Sequence, residues 1–284
     1  ERIKIWPFFL FAAILTGFIY PIEMGWQWGG GWLSAAGFSD FAGSTLVHAA
    51  GGAAALAGAI VLGARSGRFT SGGSVKAMAP FAASSIPLAT LGVFILWLGW
   101  FGFNGGSVLS ADPANTSLVL VTTCLAAAAG GIGAAFFSNL LYKNLDITMF
   151  MNGVLGGLVG ITAGADQMGP TSAIIIGAVG GVIVVLGVAL LDKCKLDDPV
   201  GAIPVHLFSG IWGTLAVGIF GTLASFDQFM VQLASVGIVG VFCVIGATLF
   251  TLLVKSLIGL RVSEKEESTG LDISEHGTKA YFSS

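Results

Sequence analysis

Two stretches decide how this chain is read: Asp40-Phe-Ala-Gly43-Ser-Thr-Leu-Val47-His48 and Asp198-Pro-Val-Gly201-Ala-Ile-Pro-Val205-His206. Both follow D-x-x-G-x-x-x-V-H, with Asp, Gly, Val and His at fixed spacing. In each, the Asp stands where an apolar run opens. At 1.5 Å of rise per residue, the His lies roughly 12 Å along the helix from its Asp. An Asp at that place caps free N–H groups and meets the positive end of the helix dipole. Read that way it is structural; read beside a buried His it is part of a site.

The composition says what surrounds these stretches. Of 284 residues, 55% are hydrophobic and 10% charged, against about 25% charged in a typical soluble domain. Mean hydropathy is +0.91. These values exclude disorder, a nucleic-acid-binding domain and a water-soluble enzyme, and point to the lipid bilayer as solvent. The 43 glycines fit a bundle whose helix backbones approach closely in a membrane. Cys124, Cys194 and Cys243 are far apart in sequence and read as small core residues.

A spanning helix needs about 20 apolar residues. Eight apolar runs are expected to form helices, over about 5–22, 41–63, 79–103, 116–141, 148–164, 171–191, 200–222 and 231–258. Pro21 is expected to end the first, and glycines break up the fifth. The basic residues test this count. Arg2 and Lys4 precede the first run. Arg65, Arg68 and Lys76 follow the second, Lys143 the fourth, and Lys193 and Lys195 the sixth. Lys255, Arg261, Lys265 and Lys279 lie at the end of the eighth or beyond. The connections 23–40, 104–115, 165–170 and 223–230 hold none. All twelve Lys and Arg therefore fall on one side, the cytoplasmic one by the positive-inside rule. Both ends of the chain are expected there. Residues 1–260 read as a transmembrane domain and 261–284 as a cytoplasmic tail, either solvated and mobile or a docking segment.

With that orientation, Asp40 lies on the outer side and Asp198 on the inner side. The two copies run through the membrane in opposite directions, and such inverted repeats place transporter sites near the midplane. His48 and His206 are expected to reach similar depth. Ionisable residues inside a bilayer are costly and point to function. Two neutral imidazoles could share a hydrogen bond and line a narrow path for a small polar molecule or a proton. They could instead be axial ligands of a haem. No other constellation suggests a catalytic or metal site, so no enzyme chemistry and no cofactor is expected.

The run Asp40–His48, Trp100-Phe-Gly-Phe-Asn-Gly-Gly-Ser107, Asp197-Asp-Pro through Val205-His206, Trp28-Gly-Gly-Gly31, the stretch from Asn152 to Ala163, Gly210-Ile-Trp-Gly213 and Gly270-Leu-Asp-Ile-Ser-Glu-His-Gly277 resemble the ammonium transporter (Amt/Mep/Rh) family, in its bacterial Amt branch. The resemblance implies an all-α polytopic inverted-repeat bundle, a homotrimer in the cell (inner) membrane, and an ammonium or ammonia pore within each subunit. It implies eleven helices, of which the eight here lack the first three, so that the chain is expected to be a piece of a longer protein. Carried over by position, Asp40 resembles the aspartate that supports cation recruitment, and Trp28 and Ser107 resemble vestibule residues. Phe103 is similar to a gate phenylalanine, and Trp100 to a pore-lining aromatic. His48 and His206 are similar to the twin-histidine pair, and Asp198 to the pseudo-symmetric partner of Asp40. Gly201 stands where many relatives carry a further Asp. The tail's likeness implies a PII-type signalling partner, and leaves room for an ammonium sensor as the alternative to a transporter.

Overall fold

The computed structural model describes residues 2–69 and 81–281. Lys76 and residues 79–80, at the start of the expected third run, lie outside the described residues.

Among the described residues the regular elements are helical, apart from one isolated antiparallel bridge between Ile3 and Arg261. The spans are α1 (Ile5–Ala35), α2 (Ser44–Leu62), α3 (Ile86–Gly106), α4 (Pro113–Tyr142), α6 (Pro170–Lys193) and α8 (Phe226–Ile258), each long and apolar enough to cross a membrane by length and composition. Two shorter apolar helices complete the set, α5 (Ile147–Ile161) and α7 (Pro204–Val217). All eight expected runs are therefore helices, and six of them have spanning length.

Start signals in the sequence set several boundaries. The Asp112 side chain accepts the Ala114 N–H at 3.0 Å and Pro113 opens α4. Asp146 accepts from the N–H groups of Thr148 and Met149 at the start of α5. Ser225 accepts from Gln228 N at 3.1 Å to start α8. Asp112 is thus a helix cap.

One boundary differs from expectation. Pro21 does not end the first helix, which continues through Tyr20–Gln27. A π-helical turn, Leu15–Ile19, comes immediately before it. Proline removes a donor and clashes with the carbonyl one turn back, and a wide turn there relieves the clash.

Helices α4, α5 and α6 pack through glycine. A Cβ on Gly130 would lie 2.8 Å from Gly157 Cα, and one on Gly180 would lie 2.7 Å from Gly156 O. Such contacts let dispersion and close backbone approach do the packing that lipid denies to the hydrophobic effect. Of the cysteines, only Cys243 is buried; Cys124 and Cys194 are exposed on the bundle. The reading of all three as core residues is thus corrected for two of them, which face outward.

The two ends of the bundle differ in chemistry. At one end, buried Asp197 takes a two-pronged bond from Arg65 (Nε to Oδ2 2.8 Å, Nη2 to Oδ1 2.9 Å). Arg2 donates to the Asp197 carbonyl at 3.0 Å and to the Gly63 carbonyl at 2.6 Å. Arg68 pairs with Asp192. The tail is held at this end too. Short helices α9 (Glu264–Thr269) and α10 (Leu271–Ser274) follow α8. Arg261 bonds the Ala64 carbonyl at 2.7 Å and Glu267 at 2.8 Å. Glu267 also accepts from Ser66 N at 2.8 Å, and Glu275 from Ile5 N at 3.2 Å. The tail is therefore tied to the bundle as far as Glu275 by these bonds, with most of its side chains still exposed.

Candidate functional site

The two D-x-x-G-x-x-x-V-H stretches fold alike. Asp40 is buried, and its carboxylate accepts four backbone N–H groups, from Gly43, Ser44, Thr45 and Leu46, each at 2.9 Å. Asp198 accepts from Gly201 at 3.0 Å, Ala202 at 3.1 Å and Ile203 at 2.7 Å, with a longer bond from Val200. Each loop turns on its glycine, with φ +110° at Gly43 and +76° at Gly201, a region where a side chain is strained. Each Asp then opens a π-helical turn, Ser44–Ala49 and Pro204–Phe208, and each turn carries the His. The Asp40 loop docks at the end of the bundle marked by Ala163 and Gln232. Asp198 sits beside Asp197 at the opposite, basic end. The inverted repeat read from the sequence is present in space.

The two turns meet. Nδ1 of His48 lies 3.2 Å from Nδ1 of His206, and the rings meet edge to edge, their centroids 5.2 Å apart and their planes 20° from parallel. Trp100 lies over a face of His48, 4.9 Å away and 18° from parallel. Phe103 completes the row, 5.7 Å from His48 and 5.8 Å from Trp100. Trp100 is fixed by its Nε1–H, which donates to Thr162 Oγ1 at 3.0 Å. Thr162 donates in turn to the Leu158 carbonyl at 2.7 Å. His48 and Trp100 are buried, while Phe103 is 38% exposed.

Four of the residues singled out in the sequence thus form one contiguous cluster. Trp28 and Ser107 are placed differently. The Trp28 indole donates to the Asp40 carbonyl at 2.8 Å, so it buttresses the capping loop while keeping part of its ring exposed. The Ser107 hydroxyl donates to the Phe103 carbonyl one turn earlier.

Several residues escaped the sequence reading. Ser44 Oγ donates to the Val159 carbonyl and accepts from Ala163 N, both at 2.7 Å. Thr45 and Thr214 share a 2.6 Å hydroxyl bond. Gln232 accepts from Ser39 N at 3.0 Å and donates to the Ser39 carbonyl at 2.6 Å. The repeat also runs one turn further than expected, to Gly52 and Gly210, four residues past each His. A Cβ on Gly52 would lie 2.5 Å from Leu207 N, and one on Gly210 would lie 2.9 Å from Ala49 N. These two glycines let the turns cross closely enough for the rings to meet. Aligning the two stretches four residues beyond His would have found them.

The arrangement suits neutral imidazoles sharing one hydrogen bond. It does not suit a bis-His iron. Two nitrogens on opposite sides of a metal at about 2 Å each stand about 4 Å apart, whereas these stand 3.2 Å apart and face each other directly. The haem alternative is therefore set aside on geometry.

The model of the Ammonium Transporter Family matches residues 1–281. A putative ammonium transporter of Synechocystis sp. is 47% identical over 95% of this chain and 61% of its own length. Ammonium transporter Amt2 of Archaeoglobus fulgidus is 42% identical over 99% of this chain and 65% of its own length. Among solved structures, a protein titled Sensor Amt Protein superposes with TM-score 0.92 at 37% identity, over 97% of this chain and 71% of that one. Mep2 of Candida albicans superposes with TM-score 0.85 at 27% identity, over 94% and 62%. The chain spans less than two thirds of the length of the first two relatives.

Proposed function

This chain belongs to the ammonium transporter family, and from that premise we propose that it carries ammonium or ammonia across a membrane along the His48–His206 axis. The observation that carries the reading is the Nδ1-to-Nδ1 pair, its His48 packed against Trp100 and Phe103, in an inverted repeat.

On this reading the Asp40 end is the outer vestibule and the Asp197 end is cytoplasmic, as positive-inside logic requires. Exposed aromatic faces at Trp28 and Phe103 attract a cation by about 0.5–2 kcal/mol. Asp40, its lone pairs spent on backbone N–H groups, adds a fixed negative field rather than a ligand. Carrying an intact ion into a dry apolar passage costs far more than that attraction returns. Ammonium therefore gives up a proton near Phe103, one N–H bond breaking and the proton leaving to water of the outer vestibule, and ammonia passes the imidazoles as a hydrogen-bonding neutral. Potassium has no proton to lose and is rejected by the same barrier. Residues 1–260 form the membrane domain and residues 261–284 the cytoplasmic tail. A homotrimer in the cell membrane and a PII-type partner at the tail complete the proposal.

A second reading has one observation in its favour. The tail is bonded to Ser66, Ala64 and Ile5 at the basic end, so a change within the bundle has a route to the tail surface. That suits an ammonium sensor, the word borne by one structural neighbour's title.

The test is ammonium-driven flux in proteoliposomes, with the chain alone and with it extended at its N-terminus to the length of its relatives. Flux that falls on replacing His48 or His206 supports the transporter. Ammonium binding without flux in either form supports the sensor. Neither binding nor flux overturns both readings.

A further inference from the structure

A second buried carboxylate lies on α1, away from the histidine axis. Glu23 is wholly inaccessible to solvent, yet neither of its oxygens has a hydrogen-bond partner. One turn along the same helix face, Gln27 presents a buried Oε1 that is also unpartnered. Asp40, by contrast, satisfies its carboxylate with four backbone N–H groups. Tyr20, Asp40 and Cys243 lie within electrostatic reach of Glu23. None of these three brings a positive charge. The ion pairs of the described residues, built on Arg2, Arg65, Arg68 and Arg261, stand at the other end of the bundle.

Three buried acceptor oxygens without a partner and no positive charge beside them make an unstable arrangement, because buried polar groups need partners and a buried charge needs compensation. A proton on Glu23 supplies a single donor. Ammonium supplies four N–H groups and the missing charge. We propose that Glu23 and Gln27 form an internal binding site for a hydrogen-bond-donating monovalent cation, ammonium being the chemistry that fits, apart from the His48–His206 axis. Only the choice of ammonium among such cations rests on the proposed function.

Before the cation arrives, Glu23 is a carboxylic acid. On binding, the carboxyl O–H bond breaks and its proton leaves to solvent. The ammonium N–H groups then donate to both Glu23 oxygens and to Gln27 Oε1. One cation is gained and one proton released, so the charge of the site does not change, and no redox partner is required.

Infrared difference spectroscopy on the reconstituted chain tests this, comparing ammonium chloride with potassium chloride at equal ionic strength. Ammonium is expected to remove a protonated-carboxyl band and produce a carboxylate band, and potassium is expected to do neither. Glu23→Gln abolishes both changes. Gln27→Leu keeps them but requires at least about tenfold more ammonium, the equivalent of one lost hydrogen bond. This second variant carries the test if Glu23→Gln fails to fold. No carboxyl change in the wild-type chain, an unaltered change in Glu23→Gln, or an equal response to potassium overturns the site. Flux is measured on the same vesicles. Bands without flux keep this site and sink the transporter reading, whereas flux without bands does the reverse.

Discussion

Asp40 and Asp198 perform the same task at opposite ends of the bundle, each closing a glycine-turned loop and capping the π-helical turn that carries a histidine eight residues on. Their surroundings differ. Asp40 is buried, with all its bonds at 2.9 Å, while Asp198 is half-buried and its bonds range from 2.7 to 3.3 Å.

That difference sets the first prediction. Asp40→Asn replaces one accepting oxygen by an NH2 group and strands two buried backbone donors. At about 1–3 kcal/mol for each unsatisfied donor, the loss should be about 2–6 kcal/mol. Asp198→Asn leaves its donors within reach of water and should cost about 1 kcal/mol, the usual worth of a cap. Denaturant unfolding in lipid or detergent measures both. Equal losses would mean that the two caps are not distinguished by burial.

The second prediction concerns the crossing of the two turns. Gly210→Ala sets a methyl against the backbone of Ala49, which cannot swing aside as a side chain would. The crossing must open, costing about 1–3 kcal/mol as an overpacked site does. At Gly237 and Gly240 on α8, an added methyl would meet nothing within 4 Å, so alanine there should be neutral or gain up to about 1 kcal/mol from helix propensity. Thermal unfolding of the three variants side by side decides whether close approach, rather than glycine loss in general, matters.

The third prediction concerns protons. A 3.2 Å contact between two Nδ1 atoms requires one to donate and the other to accept. The two rings must therefore be opposite neutral tautomers, one protonated at Nδ1 and the other at Nε2. Nitrogen-15 NMR on histidine-labelled protein should show both tautomers, with His276 assigned separately by mutation. A shared tautomer would break the hydrogen bond and with it the single-file reading. His206→Leu leaves His48 Nδ1 without a partner, and flux should fall at least about tenfold, the scale set by one lost hydrogen bond in a dry site.

The eight helices were legible because lipid demands long apolar runs, and because the basic residues alternate so cleanly between connections. The histidine pair was legible because an eight-residue spacing from Asp fixes depth. What was hidden has physical causes. Pro21 reads as a stop unless the wide turn at Leu15–Ile19 is known. The tail reads as loose because its helices α9 and α10 are polar, and the bonds of Glu267 and Glu275 to Ser66 and Ile5 join residues some two hundred or more positions apart. Ser44, Thr45 and Gln232 look like ordinary polar residues, and only their partners across the bundle give them a role. Glu23 passed as a charge in a connection because the first helix was expected to end before it.

The last prediction concerns pH at the basic end. Burial raises the energy of the charged Asp197 carboxylate, but the Arg65 fork, the Arg65 backbone N–H and the nearby Arg2 outweigh it, and the group sits below the ordinary carboxylate range. A depressed folded pKa lends stability that is fully present above the unfolded value of about 3.9 and is lost as pH falls through the lower folded value. The contribution of Asp197 should therefore be flat from neutral pH down to about 5 and fade only below about 4. Asp197→Asn should remove that acid limb. At neutral pH it should also cost about 3–5 kcal/mol, because it takes the carboxylate charge away from the buried Arg2 and the two-pronged partner away from the half-buried Arg65. The same residue joins the start of α1, the end of α2 and the approach to α7. Acid should thus loosen this end before the histidine stack, and hydrogen exchange at Arg65 and Ser66 should rise at a higher pH than exchange at Thr45 and Leu46. Simultaneous loss of protection at both places would show that the basic end is not an independent unit of stability.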